Sequence, residues 1–169
     1  MSAEDHPPLF LIDGHNVVHA VEKYRRVKKS QDMRSVVEAL IKDLVNLAAS
    51  GESEIIVVFD GRGAGSSQTV SPGLTTVYSP GAHSADSVIE RLVFKLSTER
   101  DITVCTADYA QQKVVWREGV RRLFPSGLID LIEEAGREAK PDKIGDRSFR
   151  VEDRLPEAVR EALDKMRKK

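Results

Sequence analysis

Three aspartates of this 169-residue chain each follow a short run of apolar residues, many of them β-branched. Asp13, Asp60 and Asp108 lie at or just after the ends of these runs. Continuous runs of this kind are typical of parallel strands that are buried on both faces, and the ligand site of an open parallel sheet lies beyond the carboxyl ends of its strands. We therefore expect the three carboxylates to meet at one edge of a sheet.

A fourth acid, Asp86, lies just inside a helix that the sequence predicts to start near Ser84. Glu90 follows Asp86 by four residues, so the two share a helix face. Four or five carboxylates in one place repel one another unless a cation binds between them. Because Mg²⁺ or Mn²⁺ suits an all-oxygen site and zinc prefers more histidine or cysteine ligands, the sequence predicts a magnesium or manganese site.

Each of these acids also has a structural interpretation. An Asp-Gly pair after a strand is a common turn, and an aspartate near a helix start is a common cap. Asp60 opens a segment rich in glycine and serine, and Glu90 fits a solvated ion-pair partner equally well. Asn16, three residues after Asp13, either orients a carboxylate or contacts a phosphate, or it caps the chain locally. It is the recurrence of strand-terminal acids that favours a functional site.

Other catalytic classes do not fit the sequence. His15 and His19 have the spacing of a zinc-protease motif, but Asn16 stands where that motif requires a glutamate. The sequence contains neither a nucleophile elbow nor a P-loop. A haloacid-dehalogenase-type phosphatase would need a second aspartate at the position of His15. The single cysteine, Cys105, excludes an intramolecular disulfide and a multi-cysteine metal site.

Basic residues form two clusters that could bind a polyanion. A charge run is usually a solvated face, but the first cluster follows Asp13 closely and contains a tyrosine. Phosphodiester hydrolysis needs this pairing, because cations position the phosphates while acids hold the metal ion. The predicted phosphate-binding residues are Arg25, Arg26, Lys28, Lys29, Lys113 and Arg117.

The overall composition limits the possible functions. A formal net charge of −1 excludes a strongly basic protein but leaves room for a locally basic surface, and an aromatic content of 5% argues against a single-strand binder built mainly on stacked rings. No apolar stretch approaches the roughly 20 residues that a membrane span needs. The start of the chain lacks the pattern of a signal peptide. These features predict a soluble, cytoplasmic protein without a membrane partner.

The elements that must position the acids alternate between strands and helices. Such alternation predicts an α/β fold with a mostly parallel sheet, because a parallel return needs a crossover helix. Residues 61–73 are expected to form a mobile loop over the sheet edge. The other predicted elements are helices at 33–48, 84–99, 109–118 and 127–138, weaker strands at 74–78 and 120–124, a charged linker at 140–150 and a polar helix at 154–168.

Four motifs together resemble those of one nuclease family. Asp13-Gly14-His15-Asn16 resembles the Asp-Gly-x-Asn motif of NYN domains, within the PIN-like nuclease superfamily, and Val58-Phe59-Asp60-Gly61 resembles the second-strand motif of that superfamily. Ser84-Ala85-Asp86-Ser87-Val88-Ile89-Glu90, and Thr106-Ala107-Asp108-Tyr109 with Gln112, are similar to motifs of the bacterial YacP-like group. His15 stands where that group usually has tyrosine. The resemblance spans about residues 9–139, and we expect residues 1–139 to form the nuclease domain, with residues 140–169 as a charged linker and C-terminal helix.

The resemblance implies a three-layer sandwich of the PIN-like/NYN fold and a metal-dependent endoribonuclease that cuts single-stranded RNA. Asp13, Asp86 and Asp108 would be catalytic metal ligands for Mg²⁺ or Mn²⁺, and Asp60 and Glu90 would join or support them. Asn16 would orient the first acid or contact the substrate. YacP-like proteins are regarded as endoribonucleases connected with messenger RNA and the ribosome, which suggests those partners. The alternative is a non-catalytic RNA- or ribosome-binding module on the same fold.

Overall fold

The computed structural model describes residues 6–61, 65–108, 119–138 and 157–167. Within these residues, six strands form one sheet in the order β3-β4-β2-β1-β5-β6. Every neighbouring pair is parallel except β3 and β4, which are antiparallel. The strands are β1 (Leu9–Asp13), β2 (Glu54–Phe59), β3 (Ser66–Ser71), β4 (Leu74–Tyr78), β5 (Ile102–Cys105) and β6 (Val120–Leu123).

Helices cover both faces of the sheet and give the predicted three-layer α/β sandwich. On one face, α1 to α3 and α5 bury side chains against alternate strand residues such as Ile12, and on the other face α4 and α6 pack against residues such as Leu11. This alternation follows from the two-residue period of a strand. The described helices are α1 (Gly14–Ala20), α2 (Glu22–Ser30), α3 (Met33–Ala48), α4 (Ala85–Leu96), α5 (Pro125–Glu138) and α6 (Glu157–Arg167).

Side-chain caps fix where two of the helices begin at the carboxyl edge of the sheet. The Asp13 carboxylate accepts a hydrogen bond from the Asn16 backbone N–H and caps α1, and Ser84 caps α4 through the Ser87 backbone N–H. Both residues have extended backbone, as N-caps require. The chain therefore turns directly from strand β1 into a helix, and α4 begins at the same edge.

The predicted loop over 61–73 is wrong for residues 66–71, which form strand β3. Pro72 and Gly73 reverse the chain into β4, and Gly73 has a φ of +76°, as expected for the Pro-Gly pair of a tight turn. Strand β3 is polar and exposed at the edge of the sheet, so no apolar pattern marks it. Its backbone pairing with β4 stabilises it instead.

Most other predicted elements are confirmed within a few residues of their ends. The strands after which the acids occur, the weaker strands at 74–78 and 120–124, and the helices at 33–48, 84–99 and 127–138 are all present. Helices α1 and α2 were not predicted. The predicted helix at 109–118 and the predicted linker at 140–150 lie outside the described residues.

The C-terminal helix α6 packs against α4. Its buried residues Val159, Ala162, Leu163 and Met166 join the same apolar cluster as Leu92 of α4. The Arg167 guanidinium also donates to the backbone oxygen of Gly65, just before β3. Across the described ranges, no helix combines the length and apolar character that crossing a membrane would require.

Candidate functional site

An open cavity of about 680 Å³ lies at the carboxyl edge of the sheet, where β1, β2 and β5 end. Four of its lining residues are aspartates, and each comes from a different segment of the chain. The others are two histidines, an amide, a methionine and a glycine. The lining residues are Asp13, His15, Asn16, His19, Met33, Asp60, Gly61, Asp86 and Asp108.

Asp13 lies deepest among the four acids. It ends the central strand β1, and only 5% of its surface is exposed. Burial raises the pKa of its carboxyl from 3.8 to about 7; the Asn16 backbone N–H opposes this rise, whereas Asp86 and Asp60 add to it. This carboxyl therefore keeps its proton to a higher pH than an ordinary aspartate.

Asp86 lies in the first turn of α4 and hydrogen-bonds to the Asp13 carboxyl. Burial raises the pKa of Asp86, the bond from Asp13 lowers it, and the charges of Asp108 and Asp60 raise it again. Because the two carboxyls hydrogen-bond to each other, one of them must carry a proton. Two carboxyl groups that share one proton show the repulsion that a bound cation would relieve.

Asp60 follows β2 and is exposed, but its carboxylate is already engaged. One oxygen accepts a hydrogen bond from the Ala85 backbone N–H at 2.8 Å, which ties the end of β2 to the start of α4. The other oxygen lies 3.6 Å from Nδ1 of His15. Asp60 thus has a structural role at a helix start in addition to its place in the cavity, whereas its sequence context had suggested only an Asp-Gly turn that opens a loop.

Asn16 connects two of the acidic segments. Its backbone N–H donates to Asp13 at 3.1 Å, and its side-chain oxygen accepts from the Ala107 backbone N–H at 2.6 Å. The Asp108 backbone N–H in turn donates to the Thr106 hydroxyl at 3.0 Å. Asn16 therefore holds the segment that carries Asp108 beside the end of β1, and its predicted role in orienting the first acid or contacting the substrate stays a prediction.

His15 and His19 both line the cavity, although their spacing in the sequence suggested only a zinc pair, which Asn16 excludes. The Asp60 backbone N–H donates to Nδ1 of His15, so the proton of the neutral imidazole lies on Nε2. The His15 ring also meets the edge of Phe59 at 5.4 Å between centroids. Burial lowers the pKa of His19, and the nearby charges of Lys28 and His15 lower it further. The four-residue spacing of the two histidines was the available signal.

The two Asp-Gly pairs are close-packing points rather than simple turns. A Cβ at Gly14 would lie 2.2 Å from the Phe59 ring, and a Cβ at Gly61 would lie 2.3 Å from the backbone oxygen of Ser79. Neither glycine has a positive φ. Each glycine is needed because its neighbour approaches closely at the point where the acid must face the cavity.

The donor chemistry fits a hard divalent cation, although the side chains are not yet arranged around one. Four carboxylates supply the oxygen ligands that Mg²⁺ and Mn²⁺ prefer. Within the part of the chain that the structure describes, however, no three His, Cys, Asp or Glu residues already form a group that could hold a metal ion. Asp13 and Asp86 instead hydrogen-bond to each other.

The structure brings together most of the predicted site and leaves out one acid. Asp13, Asn16, Asp60, Asp86 and Asp108 line one cavity. Glu90 is exposed one turn further along α4 and does not line the cavity. Its predicted support of the metal ligands stays a prediction.

The first basic cluster lies on α2, next to the cavity. Arg26 pairs with Glu22 at 2.9 Å. Arg25, Lys28 and Lys29 are exposed and make no ion pair with any residue in the described ranges. The charge of Lys28 lowers the pKa of His19, which lines the cavity. Lys113 and Arg117, also predicted to bind phosphate, lie outside the described residues.

Comparisons with known proteins agree with this architecture. The family model of the YacP-like NYN domain matches residues 10–168. The crystal structure of Rae1 (YacP) from Bacillus subtilis is similar, with a TM-score of 0.65, 23% sequence identity, and coverage of 77% of this chain and 76% of that chain. A mutant of that protein gives a TM-score of 0.65 at 22% identity, with 78% of each chain covered. None of the curated proteins matches the chain.

Proposed function

The chain belongs to the YacP-like NYN domain family, and on this basis we propose that it is a metal-dependent endoribonuclease that hydrolyses phosphodiester bonds in single-stranded RNA. The observation that carries the proposal is the cavity shared by Asp13, Asp60, Asp86 and Asp108. Carboxylates alone repel the phosphates of RNA. With a divalent cation between them, the same carboxylates form a phosphate-binding centre.

Asp13, Asp86 and Asp108 are the residues that would hold Mg²⁺ or Mn²⁺, with Asp60 beside them. Such an ion supplies Lewis acidity for the attack of water at phosphorus when it is bound. Asn16 keeps Asp13 and the Asp108 segment in place through its backbone N–H and its side-chain oxygen. In its neutral form, His15 carries its proton on Nε2, where it is available to a phosphate oxygen.

Helix α2 supplies the phosphate-binding side chains in this proposal. Arg25, Lys28 and Lys29 make no ion pair with described residues, whereas Arg26 is held by Glu22. Exposed cations beside an active site attract the RNA backbone and give binding that weakens with salt. We therefore assign the larger share of backbone binding to Arg25, Lys28 and Lys29.

The family similarity extends the proposal to partners. YacP-like proteins are regarded as endoribonucleases connected with messenger RNA and the ribosome. We propose messenger RNA as the substrate, the ribosome as the place where it is presented, and the cytoplasm as the compartment.

The central experiment compares Asp108→Asn with Asp101→Asn in cleavage of a labelled single-stranded RNA. Asp101 is an exposed aspartate that pairs with Arg121 and does not line the cavity. We expect Asp108→Asn to lose about a thousandfold or more in rate, as removal of a metal ligand should. Asp101→Asn should cleave like wild type, and EDTA should stop cleavage until Mn²⁺ is added.

Calorimetry with Mn²⁺ separates the proposal from the non-catalytic alternative. Binding that disappears in Asp108→Asn, with or without an RNA oligomer present, supports the metal site. The alternative, an RNA- or ribosome-binding module, draws some support from the absence of a ready-made ligand group among the described residues. Salt-sensitive RNA binding that ignores Mg²⁺ and survives loss of the aspartates would favour that module and contradict the nuclease.

A further inference from the structure

Two exposed aromatic rings lie at the carboxyl edge of the sheet, one on each side of the acidic strands. Among the described residues, the large hydrophobic side chains that remain exposed are Val70, Tyr78, Phe94 and Phe124. Tyr78 is the last residue of β4, and Phe124 follows the last residue of β6 directly. Isolated exposed apolar residues are common, so the placement of these two rings, rather than their exposure, is the informative feature.

The Tyr78 ring is held in place from the cavity side. It stacks on Phe59 with 5.5 Å between ring centroids and an interplanar angle of 25°. Phe59 is fully buried and contacts the ring of His15, which lines the cavity. Tyr78 is nevertheless 37% exposed. It therefore offers a rigid aromatic surface that is connected to the cavity wall through two further rings.

The Phe124 ring is held by a cation. The Arg122 guanidinium lies 5.1 Å from its centroid, and the Phe124 backbone oxygen accepts a hydrogen bond from Leu128 in the first turn of α5. The ring is 50% exposed. A guanidinium beside an exposed ring also provides a positive charge where an RNA backbone would pass.

The strand order gives the sequence of groups along this edge. From β4 through β2, β1 and β5 to β6, the strand ends carry Tyr78, Asp60, Asp13, Asp108 and Phe124. Neighbouring strands lie about 4.8 Å apart, so β4 and β6 are separated by roughly 19 Å, with the acids between them. Both flanks of the acidic centre thus carry a ring.

We propose that single-stranded RNA lies along this edge with one base stacked on Tyr78 and another on Phe124, so that the backbone between them crosses the acidic cavity. The proposal rests on the proposed function, because it takes RNA as the substrate. Only unpaired bases expose their faces, so a double helix could not stack on the rings of Tyr78 and Phe124, which we call the stacking platforms. Stacking accepts any base, which predicts little sequence preference at the two positions.

The test compares two RNA oligomers that have the same backbone charge, an oligouridylate and an abasic ribose-phosphate oligomer, by fluorescence anisotropy in Ca²⁺, a hard cation that takes carboxylate ligands and so offsets the repulsion between the acids and the RNA backbone. We expect wild type to bind the abasic oligomer at least tenfold more weakly. Tyr78→Ala and Phe124→Ala should each weaken oligouridylate binding about tenfold and leave abasic binding unchanged, since each removes one base–ring contact. Tyr78→Phe should bind like wild type.

Phe94→Ala is the matched control, because Phe94 is 63% exposed but lies nine residues along α4 from the cavity edge, and it should not change binding. Tyr78→Leu and Phe124→Leu keep apolar contact for the fold without a ring and should behave like the alanine variants. The wild-type comparison of the two oligomers does not depend on any variant folding.

Equal binding of the two oligomers by wild type would overturn the proposal, and an effect confined to one ring would overturn the two-sided arrangement. Cleavage of the oligouridylate in Mg²⁺ is measured separately. If wild type cleaves RNA but binds the two oligomers equally well, the proposed nuclease function stands and the proposed stacking on Tyr78 and Phe124 is wrong. If binding depends on the bases and both alanine variants lose it, but no cleavage is seen, the proposed stacking on Tyr78 and Phe124 stands and the proposed nuclease function is wrong.

Discussion

The two ends of the sheet differ in the charges that surround a buried ionisable side chain. At the amino end, Arg100 is only 4% exposed, and its guanidinium donates to Glu54 at 2.9 Å and to the backbone oxygen of Pro7. At the carboxyl end, Asp13 is buried to a similar extent, but the charged groups nearest to it are other carboxyls. The amino end pairs its charge with an opposite one, and the carboxyl end gathers like charges.

The difference separates a charge that stabilises the fold from charges that we expect to belong to a functional site. Arg100 joins the segment before β1, the start of β2 and the segment after α4, so its ion pair and hydrogen bond reinforce the sheet. The Asp13–Asp86 pair reinforces nothing by its charge, because ionisation of both groups is unfavourable in a buried position. Perturbed carboxyl groups in a cleft are typical of functional sites. The comparison predicts that the two ends respond oppositely when their charges are removed.

The largest effect is expected from Asp13→Asn, which should stabilise the fold above neutral pH. Asparagine keeps the N-cap of α1 and a hydrogen bond to Asp86 while removing a charge. Because the pKa of Asp13 rises from 3.8 when unfolded to about 7 when folded, the native state holds a proton that the unfolded state releases between these values. The contribution of this carboxyl to stability is therefore fully present below about pH 4 and is lost as pH rises through about 7.

Urea unfolding from pH 4 to pH 8 measures this prediction. At pH 8, Asp13→Asn should exceed wild type in unfolding free energy by on the order of 3 kcal/mol, and the gap should close towards pH 4. Asp101→Asn, at an exposed ion pair, should follow wild type at every pH. A variant that is less stable than wild type at pH 8 would contradict the unfavourable burial of Asp13.

At the amino end, Arg100→Met should destabilise the fold by about 2 kcal/mol. Breaking a buried ion pair leaves its partner uncompensated, but Glu54 is partly exposed and water can solvate it, so the loss should fall below that of a fully buried pair. Chemical denaturation gives the value. Arg121→Met is the control, because Arg121 pairs with Asp101 at the exposed surface and should change stability by less than about 0.5 kcal/mol. If Arg100→Met leaves the free energy of unfolding unchanged, the proposed difference between the amino and carboxyl ends of the sheet is wrong.

Adding Mg²⁺ should make the carboxyl end resemble the amino end by supplying the missing positive charge. A ligand that binds only the folded state at ten times its Kd raises the unfolding free energy by about 1.4 kcal/mol. Thermal unfolding of wild type should therefore shift upward with Mg²⁺ concentration. Asp13→Asn should show little shift, and the same ionic strength supplied as NaCl should not reproduce the wild-type shift. Equal shifts in both proteins would place the cation elsewhere.

The positions of the acids were predictable, because parallel strands fix the edge at which their carboxyl ends meet. An apolar run predicts a buried strand, and the aspartate that follows the strand must then lie at that edge. Strand β3 could not be predicted in this way, since its residues face solvent and its stability comes from backbone pairing with β4. Edge strands of this kind carry little hydrophobic pattern.

The role of the two glycines in the site also could not be predicted from the sequence. Asp13-Gly14 reads as a turn, but Gly14 is the first residue of α1 and is required because the Phe59 ring occupies the place of a Cβ. Phe59 lies 45 residues away in the sequence, so only the folded structure shows the contact. The same holds for the Asn16 oxygen, whose partner Ala107 is 91 residues away.

The smallest effect is expected where the basic helix approaches the acidic cavity. Burial lowers the pKa of His19, and the charges of Lys28 and His15 lower it further, so Lys28→Ala should raise this pKa. Titration of the His19 ring protons by NMR measures the change. Lys29→Ala is the matched control, because Lys29 is the adjacent exposed lysine of α2 and is not among the groups that shift His19. An equal rise in both variants would mean that the pKa of His19 responds to the charge of the whole helix and not to Lys28 in particular. A rise of the His19 pKa in Lys28→Ala alone would show that a cation of α2, the helix that we expect to bind phosphate, acts electrostatically on a residue of the acidic cavity.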